Sequence, residues 1–95
     1  LRWLHQALAE CLALARLPAP DLPAIAFVGS NERIVDVPRI VARMTAWPGG
    51  RLERVQGGEH EVLMEDAVTR GRILSQMAQV FEDAARSADA AARWA

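Results

Sequence analysis

Apolar and polar positions along the chain alternate between two rhythms. Leu4, Leu8, Cys11, Leu12 and Ala15 recur at three- and four-residue spacing, which makes one apolar stripe on a helix over residues 1–17. Pro18, Pro20 and Pro23 end that helix and hold the connection extended. Ala24-Ile25-Ala26-Phe27-Val28 is then a continuous apolar run between Pro23 and Gly29. Without alternation, it reads as a strand over 24–28 covered on both faces, as in a parallel sheet.

Helical spacing returns with Ile40, Val41, Met44 and Trp47, predicting a helix over 37–47 that has Pro38 in its first turn and Asp36 at its start. Pro48-Gly49-Gly50 stops it, and Leu52 and Val55 anchor a short strand over 51–55. After a short apolar run at Val62-Leu63-Met64, the positions of Ile73, Leu74, Met77, Val80 and Phe81 predict a long helix over 68–94. Its end, from Ala84 to Ala95, is rich in alanine.

The order is α-β-α-β-α. Two strands joined through a helix imply parallel pairing. A two-stranded parallel sheet is a poor free-standing unit, and the 24–28 strand is too apolar for a sheet edge. The pattern therefore predicts an α/β fold in which residues 1–95 form one end of a larger doubly wound parallel sheet. The chain begins at Leu1, inside the helical pattern and without an initiator methionine, and this too is read as a segment of something longer.

Composition changes this picture little. A hydrophobic share of 52% suffices for a core and argues against disorder. The net charge of −1 gives no electrostatic reason to expect nucleic acid or an anionic membrane as a partner. All 11 basic residues are arginine and 18 residues are alanine, a bias that points to the source genome rather than to a function. The single cysteine, Cys11, has no internal disulfide partner, and its apolar helical neighbours suggest a buried thiol. No apolar run is long enough to span a bilayer. The expected setting is cytoplasmic or peripheral to a membrane.

The candidate chemistry lies in two loops that leave the two strand ends. Gly29-Ser30-Asn31-Glu32-Arg33-Ile34-Val35-Asp36 follows the first strand, and Gly57-Gly58-Glu59-His60-Glu61 follows the second. In open parallel sheets ligands and chemistry collect at that edge, and loops there display functional groups. Asp36 has a structural duty available, since aspartate caps helices and a helix starts just after it. Glu32 has none. It is the better candidate for orienting the His60 imidazole, with Ile34-Val35 turning back toward the core and Arg33 facing solvent. Zinc is not expected, because His5 lies far off on the first helix and Glu59-His60-Glu61 has no metal-ligand spacing. Glu59 and Glu61 read as solvated charges.

These two segments, with Val62-Leu63-Met64-Glu65 after His60, resemble the C-terminal third of the α/β-hydrolases, and most of all the bacterial lysophospholipase and monoacylglycerol lipase branch. There an acid follows the penultimate strand in a Gly-x-x-Asp-x-hydrophobic-hydrophobic-Asp pattern. The catalytic histidine follows the last strand in a Gly-small-x-His-x-hydrophobic-x-x-Glu pattern. The resemblance covers 24–81 and implies that Glu32, here in place of the usual aspartate, is the triad acid. Asp36 is the second acid and the alternative for the triad, His60 the base, and Glu65 a supporting loop glutamate.

By the same resemblance the intact protein is a serine ester hydrolase acting on a lipid monoester or another small ester, without metal or cofactor. No Gly-x-Ser-x-Gly frame surrounds Ser30, Ser75 or Ser87. The nucleophile is therefore expected in the remaining, N-terminal part of the domain, with this segment inactive alone. Ser30 reads as a turn residue. Two other readings stay open: a non-catalytic hydrolase-like binding protein, and an interaction module that pairs through its terminal helices.

Overall fold

A computed structural model describes residues 1–93. It contains helix α1 (Arg2–Arg16), strand β1 (Ala24–Gly29), helix α2 (Val37–Thr45), strand β2 (Gly50–Val55), a single 3₁₀ turn (Val62–Met64) and helix α3 (Ala67–Arg93). Residue 94, which the sequence reading assigned to the last helix, lies outside the described residues. The chain is α/β, with three helices and a two-stranded parallel sheet.

The sheet register runs from Ala24 opposite Gly50 to Gly29 opposite Val55. Both strands thus end level with one another, and the loops after them start side by side. Ala24 N–H donates to Gly49 O at 3.0 Å before the first pair, and Ser30 N–H donates to Val55 O at 3.0 Å beyond the last. Residues of even number on β1 therefore turn their backbone groups toward β2. Ile25 and Phe27 turn theirs outward, to an open edge.

Side chains of opposite parity point to opposite faces. Phe27, Glu53 and Val55 share one face and line a hollow together with Arg72, Ile73 and Gln76 of α3. Gly50 belongs to the other face, where Trp47 and Met44 lie directly over its Cα. The two helices thus cover the sheet from its two sides. Pro38 and Asp36 start α2 as expected, with Asp36 as the N-cap. Trp47 lies just past the end of α2, where its indole N–H donates to Leu22 O at 2.8 Å and fixes the approach to β1.

The core is small. Val28, Val55 and Ile73 are the buried hydrophobic residues, each contributing about 1.5–3 kcal/mol on full burial. Several expectations need correction on this point. Ala24 to Phe27 are half-buried rather than covered on both faces, because the sheet stops at two strands. Of the apolar face of the last helix, Ile73 is buried, whereas Phe81 is 70% exposed. Phe81 lines an open hollow with Pro23, Ala24, Ile25 and Phe27 and is not closed over.

Helix α1 has no buried residue along its length. Cys11, expected to be a buried thiol, is exposed. The stripe of Leu4, Leu8 and Leu12 faces solvent. What ties α1 down is Arg43 of α2, whose guanidinium donates to Leu17 O at 2.9 Å and to Leu14 O at 2.8 Å, the latter also accepting from Leu17 N–H at 3.2 Å, and so caps the helix C-terminus. Among the described residues no helix is long and apolar enough to cross a membrane.

Candidate active site

The loop after β1 begins with a tight turn in which Glu32 N–H donates to Gly29 O at 3.2 Å. The Glu32 side chain then folds onto its own loop. Its Oε1 accepts from the N–H groups of Ile34 at 2.7 Å and Val35 at 3.3 Å. Two backbone donors are thereby satisfied, and the carboxylate is held in one orientation. Ile34 does not dip toward the core as its apolar character suggested. It is 72% exposed, because the loop is closed by its own carboxylate rather than by burial.

The other oxygen, Oε2, faces the second loop and lies 2.8 Å from His60 Nδ1. The Glu32 side chain is 4% exposed, and that of His60 is 44% exposed. Burial of Glu32 acts against ionisation, yet the hydrogen bonds from Ile34 N–H, His60 and Val35 N–H outweigh it and hold the carboxyl below its ordinary value. A carboxylate at this distance places the proton of a neutral imidazole on Nδ1. Nε2 keeps its lone pair and is the nitrogen that remains to accept a proton.

Asp36 lies in a different environment. Its Oδ1 accepts from Arg39 N–H at 3.4 Å and its Oδ2 meets Arg39 Nε at 3.2 Å, so the carboxylate is turned to the start of α2. The structure brings Glu32 to His60, and Asp36 to its own helix. Glu59 and Glu61 are exposed. Glu65 supports the histidine loop from below: its Oε1 accepts from Glu59 N–H at 2.8 Å, next to His60 in the chain. Arg70 in turn donates to Glu65 O at 3.1 Å. Asp66 then caps α3 through Thr69 N–H at 2.8 Å.

The contact between the two loops depends on residues that sequence reasoning took as turn formers or passed over, without seeing that they bond across the loops. A Cβ at Gly29 would run into the carbonyl oxygens of Gly58 and Glu59, so this close approach requires glycine. Gly57 has φ +77°, in the left-handed region that glycine enters without strain. Its N–H donates to Ser30 Oγ at 2.7 Å, and its carbonyl accepts from Asn31 Nδ2 at 3.3 Å. Asn31 N–H donates to Gly58 O at 2.9 Å. A glycine after a buried strand was visible as a turn signal, but a contact across 27 residues leaves no local trace.

Hollows of about 210, 240, 280 and 670 Å³ surround the fold, and none is lined by Glu32 or His60. Among the described residues no group of three or more histidine, cysteine, aspartate or glutamate side chains could hold a metal ion. No family model, curated protein or solved structure matches the chain.

Proposed function

We propose that this chain supplies the general base and its orienting acid to a serine ester hydrolase of the α/β-hydrolase type, as part of a larger doubly wound sheet. The observation that carries the reading is the 2.8 Å pairing of Glu32 with His60 Nδ1 at the C-terminal ends of two adjacent parallel strands. An exposed imidazole oriented by a buried carboxylate is the arrangement that nucleophilic acyl transfer uses. The open edge of β1 is where further strands would pair, with the nucleophile carried by the remaining part of the domain.

In that reading a serine Oγ attacks the ester carbonyl and forms a new C–O bond while its proton passes to His60 Nε2. Collapse of the tetrahedral adduct breaks the bond to the leaving alcohol, which takes the proton from Nε2. Water then repeats the sequence on the acyl-enzyme and releases the carboxylic acid. Glu32 holds the ring and stabilises the imidazolium throughout. The substrate class, a lipid monoester or another small ester, comes from the resemblance of the two loops.

Active-site labelling tests this. In the full-length protein an alkyl fluorophosphonate should label one serine outside residues 1–95, and His60→Ala should slow that labelling by orders of magnitude. Labelling of Ser30, Ser75 or Ser87, or labelling indifferent to His60, overturns the proposal. A second reading is a non-catalytic relative that binds a ligand or partner, in keeping with the lining of the four hollows around the fold, which includes neither Glu32 nor His60. Absence of any reactive serine in the full-length protein would select it.

A further inference from the structure

We infer that Ser30 and Asn31 are positioning residues that clasp the His60 loop to the Glu32 loop and so set the distance between carboxylate and imidazole. The inference rests on the hydrolase reading for its purpose, but not for its geometry. Glu32 is fixed within its own loop by Ile34 and Val35 N–H. His60 is not fixed in the same way. It follows two glycines, and the anchors beside it within its own loop are Gly58 N–H, which donates to Val55 O at 3.0 Å, and Glu59 N–H, which donates to Glu65. Neither anchor specifies where the loop stands relative to Glu32.

That relationship is set by a group of bonds from the Ser30–Asn31 turn. Ser30 N–H reaches Val55 O, Ser30 Oγ accepts from Gly57 N–H, Asn31 N–H reaches Gly58 O and Asn31 Nδ2 reaches Gly57 O. Gly57 is thus held on both its N–H and its C=O by the two side chains. The sequence reading of Ser30 as a turn residue covers only part of its work, since its hydroxyl bonds across 27 residues rather than within the turn. Gly29 completes the clasp by leaving room for the Gly58 and Glu59 carbonyls.

The consequence is geometric. A hydrogen bond of 2.8 Å is largely lost if one loop slides by about 1 Å. Misplacement on that scale at a reacting group costs up to about 100-fold in rate. Together with the two backbone donors of the same turn, two short polar side chains therefore set whether Glu32 selects the Nδ1–H tautomer. They do so without touching the imidazole.

The test uses the full-length protein labelled with ¹⁵N-histidine, with the His60 ring signals identified by their loss in His60→Gln. In the wild type the Nδ1–H signal should fall in the far-downfield range of a carboxylate-bonded imidazole. The double variant Ser30→Ala/Asn31→Ala should lose that signal while keeping its circular dichroism spectrum. Its kcat for a short-chain ester should fall about tenfold or more, with KM changed less than about twofold. Ser30→Thr, which keeps the hydroxyl, should retain the signal. A double variant that keeps the wild-type Nδ1–H signal overturns the inference. If the double variant does not fold, Ser30→Ala and Asn31→Ala are read singly, and an unchanged signal in both overturns it equally. The two readings fail separately. A clasp-dependent signal in a protein with no esterase activity removes the hydrolase reading alone, whereas a His60-dependent esterase whose signal ignores Ser30 and Asn31 removes the clasp alone.

Discussion

Glu32 Oε2 and His60 Nδ1 stand 2.8 Å apart across 28 residues of sequence, while Asp36, only four residues beyond Glu32, is bound to the start of α2. Two carboxylates of one loop are thereby given different tasks by their hydrogen-bond partners. Substitution should separate them. In the intact protein Glu32→Gln should preserve the fold and lower turnover on the order of 10⁴-fold, as for loss of a triad acid. Asp36→Asn should leave turnover near wild type and cost at most about 1 kcal/mol of stability, because asparagine still caps a helix. Ester hydrolysis and thermal melts of the two variants check this, and the reverse pattern would transfer the acid role to Asp36.

Removal of the imidazole is the most direct kinetic test. His60→Ala should reduce kcat by about 10⁴-fold or more. The melting temperature should change little, since the side chain lies on an exposed loop. Wild-type turnover in this variant would mean that His60 is not the base.

Gly29→Ala probes the closeness of the loops. The added Cβ meets the carbonyl oxygens of Gly58 and Glu59, backbone atoms that move only if the loop moves. Destabilisation of about 1–3 kcal/mol is expected from such overpacking. The change should also part Glu32 from His60, so that turnover falls further than stability explains. Urea denaturation together with kcat measures both effects, and equal activity per folded molecule would show the pair to be indifferent to Gly29.

Glu65 distinguishes shape from charge in the support of the histidine loop. Its Oε1 accepts from Glu59 N–H, which a neutral amide oxygen also does. Glu65→Gln should therefore stay close to wild type, and Glu65→Ala should lose about tenfold in kcat as the segment beside His60 loosens. Comparable losses in both variants would point to a requirement for the charge.

Acid should destabilise the fold through a definable set of groups. Glu32, Asp66 and Asp83 all have carboxyl groups held below their ordinary values. For Glu32 burial opposes this and hydrogen bonds prevail, for Asp66 the Thr69 N–H leads, and for Asp83 the Gln79 amide leads. A depressed folded-state value means that the unfolded chain takes up protons first. The stabilisation is complete above the ordinary values of 4.5 for glutamate and 3.8 for aspartate, and is lost as pH falls through the lower, folded-state values. Melting temperature should be level from neutral pH to about 5 and then decline. Glu32→Gln should make that decline shallower, and an identical acid limb in the variant would remove Glu32 from the set.

The sequence by itself determined the element order, because each element has a local cause. Pro23 and Gly29 bound an unalternating apolar run, Asp36 and Pro38 start α2, and Pro48 stops the helical pattern. It also placed an acid and a histidine on loops leaving neighbouring strand ends, which follows from parallel pairing alone. Periodicity states which face of a helix is apolar, but not whether anything lies against it. Hence Cys11 and Phe81, correctly placed on apolar stripes, are exposed. Ile34 is exposed for a similar reason, since its loop is closed by the Glu32 carboxylate and not by apolar contact. Only the tertiary structure decided which carboxylate oxygen meets Nδ1, since Ile34 and Val35 N–H engage Oε1 and leave Oε2 for His60, while Gly29, Ser30, Asn31 and Gly57 join the two loops. Those contacts join positions 26 to 30 residues apart, and hydrogen bonds of that span are set by the level ends of β1 and β2 rather than by any local pattern.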